Sequence, residues 1–391
     1  MVGVLSACGD EPKPERPGAS SASSCGPRPH GTEDLAGIVV PETVSPAAET
    51  EPVRHAGDAA DDGAIWVHPE VPERSVIIGT DKRGGIAVYA LDGSVLHERA
   101  DGELNNVDLR CDHELLGELT TVVVAGNRTS NTIAIYRFDE HHRRLQDVAE
   151  RPIEVGVTTY GSCLYQDRQR GALYYFATSH EGEVEQWALF STERGTIDGR
   201  KVRSFTLGST AEACAADDVT GDLYVSEEAR GVWRLGAFPG DDRVPVLVAR
   251  VEEEGGELVA DVEGVDVART DRGPLLFVSS QGNDSFAVYG LLPPHQFIGR
   301  FRVVDNRDVD GASNTDGIAV VYAAWGQRSG TASSSRRTAK TTVATRTTSW
   351  SRSRGSWAPQ RRTAAEWRGP WPWWWIYGRG SGLTPPPRFI A

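Results

Sequence analysis

The feature that most constrains the fold is a pair of short strands that recurs along the chain. Each copy has a strand of β-branched residues, a turn of small or charged residues, and a second strand that ends in an aromatic residue. Five copies start at residues 75, 121, 173, 223 and 275, a spacing of 46 to 52 residues. They read SVIIGTDKRGGIAVY, TVVVAGNRTSNTIAIY, LYYFATSHEGEVEQW, LYVSEEARGVW and LLFVSSQGNDSFAVY. Repeats of this length, built from several strands, are typical of a β-propeller.

The end of the repeat region sets the expected number of blades. GIAVV (317–321) begins a further copy just before the composition changes. We therefore predict an all-β fold, a six-bladed β-propeller over residues 37–327, with an incomplete last blade.

The charge of the chain is distributed unevenly. Residues 328–391 contain 12 Lys and Arg, a single acid (Glu366) and 7 of the 11 Trp, so residues 1–327 carry a net charge of -25. An acidic body argues against nucleic acid as a partner and favours cation binding. No apolar run reaches the length of about 18 residues that a membrane-spanning helix needs.

The N-terminus predicts export. Leu5-Ser6-Ala7-Cys8 resembles a lipobox, so residues 1–8 are interpreted as a truncated lipoprotein-type signal and Cys8 as the lipidation site. Residues 9–36 have the Pro-, Gly- and Ser-rich composition of a disordered linker. We expect a lipid-anchored protein of the cell envelope or an extracellular one. Cys163 and Cys214 could pair or could be small buried residues, and the second interpretation is favoured.

Residues 328–391 have no apolar period of either kind, and their composition is foreign to the body. They are either a disordered basic tail or the product of a frameshift. If the reading frame is moved by one base from Arg337 onward, the possible codons can encode an acidic, glycine-rich sequence. Its composition resembles that of residues 1–327. The second hypothesis places the shift between about Val321 and Ser333.

Carboxylates at the turns are the main chemical signal, because catalytic motifs such as GxSxG, HExxH and CxxC are absent from the sequence. A single turn Asp usually caps its turn or is solvated. Here the acids fall at matching places in successive repeats, and converging carboxylates repel each other unless a cation neutralises them. Oxygen ligands with few His or Cys select calcium. Lys82, Arg83, Arg128 and His180 lie in the same turns and would suit a small anion with several charges.

At these residues the chain resembles the β-propeller phytases, which are calcium-dependent enzymes that release phosphate from phytate (myo-inositol hexakisphosphate). The resemblance covers about residues 50–320 in the family's order. It is carried by DAADDGAIW (58–66), TDKRGGIAVY (80–89), LNNVDLR (104–110), GNRTSNTIAIY (126–136), EACAADDVTGDLYVSEE (212–228), ADVEG (260–264), SSQGNDSFAVY (279–289) and SNTDGI (313–318).

The resemblance implies a 3-phytase that acts on the calcium–phytate complex as a monomer, by attack of a calcium-bound water on phosphorus. The implied catalytic residues are Glu212, Glu228, Asp261, Glu263 and Asp316. The implied metal ligands are Asp62, Asn106, Asp108, Glu212, Asp261, Glu263, Asp310 and Asp316, and the implied phosphate-binding residues are Lys82, Arg83, Arg128, Tyr160 and His180.

Three departures from the family pattern matter. His180 stands where lysine is common, Asn314 stands where aspartate is frequent, and the closing strands of the last blade are missing, so activity could be lost. The alternative hypotheses are a non-catalytic calcium-binding propeller scaffold and a calcium-dependent, lactonase-like propeller hydrolase. Fold alone does not separate them.

Overall fold

The computed structural model describes residues 35, 37–324, 339–347 and 374–375 of the 391-residue chain. The predicted signal, Cys8 and almost all of the predicted linker lie outside the described residues. Within them, no helix is both long enough and apolar enough to cross a membrane. The only helices described are short 3-10 turns, at Pro72–Arg74, Glu252–Glu254 and Gln281–Asn283.

The strands form five blades, each a sheet in which consecutive strands pair antiparallel. A short strand β1 (Thr43–Val44) comes first in the chain and pairs parallel with the outermost strand of the last blade. Blade 1 contains β2 (Ala60–Trp66), β3 (Val76–Asp81), β4 (Gly85–Ala90) and β5 (Val95–Arg99). Blade 2 contains β6 (Leu104–Leu115), β7 (Glu118–Asn127), β8 (Thr132–Asp139) and β9 (Arg144–Asp147).

The next three blades repeat this order. Blade 3 contains β10 (Ser162–Asp167), β11 (Ala172–Thr178), β12 (Glu183–Ser191) and β13 (Ile197–Thr206). Blade 4 contains β14 (Ala211–Asp217), β15 (Asp222–Glu227), β16 (Gly231–Gly236) and β17 (Val246–Arg250). Blade 5 contains β18 (Val262–Thr270), β19 (Gly273–Ser280), β20 (Ser285–Gly290) and β21 (Phe297–Val303).

A smaller closing sheet follows blade 5. It contains β22 (Thr315–Ala324), β23 (Ala339–Thr347) and β24 (Trp374–Trp375). The all-β propeller is thus confirmed, but the structure shows five blades rather than six, because the last sheet lacks a fourth strand. Two of its strands lie in the tail that was predicted to be disordered or out of frame, and most of that tail lies outside the described residues.

The apolar core is divided among the interfaces between successive sheets. Blades 1 and 2 enclose Trp66, Val123 and Phe138, which are almost completely buried. Similar clusters lie at each later interface, and Ala319 of β22 packs with Ile65 and Tyr89 of blade 1. Because inner strands such as β3, β15 and β19 bury both of their faces against neighbouring sheets, they contain nearly continuous apolar runs. This packing sets the innermost strands side by side around the axis.

The aromatic residue at the end of each sequence repeat has a definite structural place. In four blades it stands at a register shift between the third and fourth strands, at Tyr89, Trp187, Trp233 and Tyr289. A bulge sharpens the local twist of a strand, which suits a radial blade.

Candidate active site

The site is built by bulges in the innermost strands. In β2, β6, β14, β18 and β22, two residues stand opposite one residue of the second strand. A bulge re-aims the side chain it carries. The first residue of each bulge is polar and buried, and these residues are Asp61, Asn106, Glu212, Glu263 and Asp316.

Blade 3 supplies Tyr160 at the matching place, just before β10. The Tyr160 N–H donates to the carbonyl of Thr178, and the Thr178 N–H donates to the carbonyl of Gly161. Gly161 lies against blade 4 so closely that a Cβ there would be 1.6 Å from the Glu212 carbonyl oxygen. Only glycine fits this contact, which brings Tyr160 and Glu212 to the same end of the axis.

Two buried acids, Glu212 of blade 4 and Glu263 of blade 5, lie near Tyr160 and the half-buried Glu228. The Tyr160 hydroxyl donates to Glu228 Oε1 over 3.3 Å. Burial, with the nearby charges of Asp61 and Glu228, raises the pKa of Glu212 to about 8. Burial and the approach of Glu212 raise the pKa of Glu263 well above its ordinary value. These carboxylates cannot all ionise together unless a cation enters.

Lys82 occupies the first cationic position at this end of the axis, in the turn after β3. Its ammonium group lies 2.9 Å from Asp58 Oδ2, 3.5 Å from Asp316 Oδ2 and 3.8 Å from Asp61 Oδ1. Gln281 Nε2 donates to Asp316 Oδ1 over 2.6 Å. Lys82 thus joins acids from β2 and β22. The predicted site residues did not include Asp61 or Gln281, although Asp61 adjoins Asp62 in the same acidic run.

Asp62 has one carboxylate oxygen satisfied and one without a partner. Oδ2 accepts from Asn106 Nδ2 at 3.3 Å and from the Val107 N–H at 3.4 Å, whereas Oδ1 is buried without a hydrogen bond. Burial and the neighbouring Asp61 raise the pKa of Asp62 well above its ordinary value. A Cβ at Gly317 would lie 2.1 Å from Asp62 Oδ1, so glycine there makes room for this oxygen.

Arg128 and His180 flank Tyr160. Arg128 Nη1 donates to Asn105 Oδ1 over 3.2 Å, and its guanidinium lies 6.0 Å from the centre of the Tyr160 ring. The His180 ring stacks on Tyr160 with centroids 3.6 Å apart. Burial and the charge of Arg128 lower the pKa of His180. Stacked rings beside a guanidinium make a flat, cationic wall of the kind that suits a phosphate group.

Four predicted residues stand outside this inner group. Arg83 donates through Nη1 to the carbonyl of Ala56, in the segment next to the Lys82 turn. Asp261 is exposed and immediately precedes β18, and Asp310 is exposed in the loop between β21 and β22. The carboxylate of Asp108 accepts from Arg110 Nη1 and from the Leu164 N–H, so the structure places it in a belt that ties blade 2 to blade 3. A metal-binding role for Asp108 stays a prediction.

The donor set decides whether a metal fits. Within the described part of the chain, no three His, Cys, Asp or Glu side chains already stand close enough to hold an ion. However, Asp62 Oδ1 and Glu212 Oε2 are buried oxygens without hydrogen-bond partners. Buried carboxylate oxygens that lack partners are suitable ligands for a hard cation such as calcium. These two carboxylate oxygens are therefore chemically suited to bind the calcium ion that the sequence predicts.

Cys163 and Cys214 form a disulfide, so the favoured prediction of two unpaired buried residues is wrong. Their Cα atoms are 5.5 Å apart, and 51 positions separate them in the sequence, about one repeat. The two residues occupy neighbouring innermost strands, β10 and β14, and a side-by-side arrangement of this kind meets the geometry of a disulfide.

Fold and site together define a β-propeller with an acidic axial site rimmed by cations. The sequence matches the phytase family over residues 35–332, more than half of the chain, and the chain therefore belongs to the phytase family. A 3-phytase of Bacillus subtilis (strain 168) is 40% identical over 284 residues, which cover 71% of this chain and 74% of that protein.

A solved structure, that of a functionally unknown protein from Desulfotomaculum acetoxidans DSM 771, gives a TM-score of 0.42 at 11% identity over 61% of this chain and 70% of its own. That likeness is too weak to bear on the fold or the function. The resemblance to β-propeller phytases is confirmed by the family match and the Bacillus relative, and so is the prediction of an enzyme of this family.

Proposed function

We propose that this chain is a calcium-dependent 3-phytase, which releases phosphate from phytate bound as its calcium complex. The observation that carries the proposal is the convergence of two unlike groups at one end of the axis. Lys82, Arg128 and His180 come from the turns of blades 1 to 3, and the acids Glu212, Glu228 and Glu263 come from blades 4 and 5. Phytase family membership and the named Bacillus relative support the same substrate.

The cations would bind the substrate. Phytate carries several phosphate groups, and Lys82 and Arg128 can each engage a phosphate oxygen through charged hydrogen bonds. The Lys82 ammonium group is now in contact with three carboxylates, so phosphate would replace one of these partners. Arg83 and the stacked pair of Tyr160 and His180 would hold further phosphate groups.

Calcium would be held by the acids that need neutralisation, together with the amide of Asn106. The proposed ligands are Asp62, Asn106, Glu212, Asp261, Glu263, Asp310 and Asp316. When bound, calcium would neutralise phosphate oxygens and make a bound water more acidic. Calcium would also offset the charge of the acidic body, which otherwise repels a polyanion.

Glu228 is suited to move the proton. Its half-buried carboxylate accepts from the Tyr160 hydroxyl, which fixes Oε1 relative to the ring that would contact phosphate. Burial and the charge of Asp261 raise the pKa of Glu228, which makes its carboxylate a stronger base than that of an exposed glutamate. We infer that Glu228 positions the attacking water and takes its proton.

The blade count and the location are further proposals. β22 contacts both β18 and β2, which supports the closing sheet as the place of a sixth blade. The Cys163–Cys214 disulfide supports an oxidising compartment, and thus the proposed export and the lipid anchor at Cys8.

The test is phosphate release from phytate by the purified chain, with calcium and then with a chelator. Glu263→Gln should abolish release, whereas Glu253→Gln, an exposed glutamate of a 3-10 turn, should not. Calcium binding without phosphate release would favour the scaffold hypothesis. Hydrolysis of a lactone in place of phytate would favour the lactonase-like hypothesis.

A further inference from the structure

The seam between blades 3 and 4 separates Tyr160 from two acids of the site. Tyr160 lies just before the first strand of blade 3, and blade 4 carries Glu212 and Glu228. The Tyr160–Glu228 hydrogen bond crosses this seam. A small shift of blade 3 against blade 4 would therefore change the distance between Tyr160 and these acids.

The seam is held by a buried apolar cluster and by several hydrogen bonds, and two of these hydrogen bonds lie next to the site. The Gly161 N–H donates to Thr178 Oγ1 over 2.8 Å, and Thr178 Oγ1 donates to the Glu212 carbonyl over 2.9 Å. The threonine hydroxyl thus relays one hydrogen bond from blade 3 to the backbone of blade 4. Hydrogen bonds of this kind orient groups well but contribute little net stability each.

The disulfide joins the same two strands a few residues further along the chain from these contacts. Cys163 follows Tyr160 by three residues and Cys214 follows Glu212 by two, on the two innermost strands that meet at the seam. Both sulfur-bearing residues are buried, with exposures of 1% and 6%. The covalent bond therefore joins β10, which begins just after Tyr160, to β14, which carries Glu212.

We infer that the Cys163–Cys214 disulfide is a positioning element of the active site, which fixes Tyr160 on one side of the seam against Glu212 and Glu228 on the other. The inference rests on the proposed function for its catalytic readout, and it has a second readout in calcium affinity. Without the bond, the apolar cluster keeps blades 3 and 4 packed, but Tyr160 is free to shift relative to Glu212 and Glu228. Displacements near 1 Å at a reacting centre cost as much as about 100-fold in rate.

The test uses the paired variant, a protein that carries both Cys163→Ser and Cys214→Ser. It is compared with the parent protein and with a control variant. The control is Phe301→Leu, which thins a buried contact in the outermost strand of blade 5 and touches no site residue. Both variants are studied below their unfolding transitions, with circular dichroism to confirm the fold. Should the serine pair fail to fold, Cys163→Ala with Cys214→Val keeps the seam apolar and is measured in the same way.

For the paired variant we expect kcat on phytate to fall about tenfold and the calcium Kd from calorimetry to rise about tenfold. The control should change each value less than twofold. If the paired variant and the control had the same kcat and the same calcium Kd, the inference would be overturned. The disulfide would then only stabilise the fold. If the parent releases no phosphate, the proposed function fails, and the calcium affinities alone still decide the inference.

Discussion

Gly161→Ala is the sharpest perturbation that the structure offers, because the contact it disturbs is backbone against backbone. The added Cβ would lie 1.6 Å from the Glu212 carbonyl oxygen, 2.8 Å from its carbonyl carbon and 2.8 Å from Thr178 Oγ1. An ordinary contact needs about 3.5 Å, so blades 3 and 4 must separate by about 2 Å at this point. Side-chain rotation cannot relieve the clash.

Two consequences follow from that separation. Overpacking of this kind typically costs about 1–3 kcal/mol in the free energy of unfolding. Since Tyr160 and Glu212 would move apart, phosphate release from phytate should fall about 100-fold or more. The disulfide joins β10 and β14 only two residues beyond Gly161 and Glu212, so both consequences arise next to this bond.

The assay combines thermal unfolding with the rate of phosphate release at saturating calcium. Gly171→Ala is the matched control, because it lies in the β10–β11 turn of the same blade and a Cβ there meets nothing within 4 Å. Its φ of 62° makes alanine cost about 1 kcal/mol without a clash. If Gly161→Ala were as stable and as active as Gly171→Ala, the close approach of the two blades would be refuted.

Three further substitutions test the proposed phosphate-binding side chains and the link between Tyr160 and Glu228. Tyr160→Phe removes the hydrogen bond to Glu228 and should lower kcat/KM by roughly tenfold to 100-fold, a change in steady-state kinetics that a purely apolar role of the ring would not produce. Lys82→Met should raise the KM for phytate about tenfold, whereas Lys201→Met, which removes an ammonium group paired with Glu185 in blade 3, should leave it unchanged; equal KM values would contradict the role of Lys82. His180→Lys should lower KM mainly at neutral and alkaline pH, because the lowered pKa leaves His180 uncharged there and positively charged only below that pKa. The KM ratio of parent to His180→Lys should thus approach one as the pH falls, and a ratio that does not vary with pH would show that His180 charge plays no part.

The sequence predicted the architecture because the repeat is long-range and regular. Apolar strands such as β7, in which Val122, Val123 and Val124 are fully buried, alternate with turns at nearly constant spacing, and only a radial arrangement buries both faces of every such strand. The five complete blades matched the five repeats. The closing sheet differed from a sixth blade because the sequence after Val321 no longer has the repeat pattern.

The site was predicted less completely, and for a physical reason. Asp61 and Gln281 enter it through contacts between sheets, with Lys82 and with Asp316, which no local pattern encodes. The bulges that turn Glu212 and Glu263 inward are also not visible in composition. The disulfide was missed because pairing depends on the distance between neighbouring blades, although the separation of 51 residues, one repeat, was the signal.

The central claim is that acids from β14, β18 and β22 hold calcium, and that the loaded site releases phosphate from phytate. The most direct measurement records calcium binding and phosphate release on the same sample of purified chain, first stripped with a chelator and then titrated with calcium. We expect no release from the stripped protein, and release that returns along the calcium-binding curve. Release that persists after chelation, or calcium sites that fill without any release, would contradict the account.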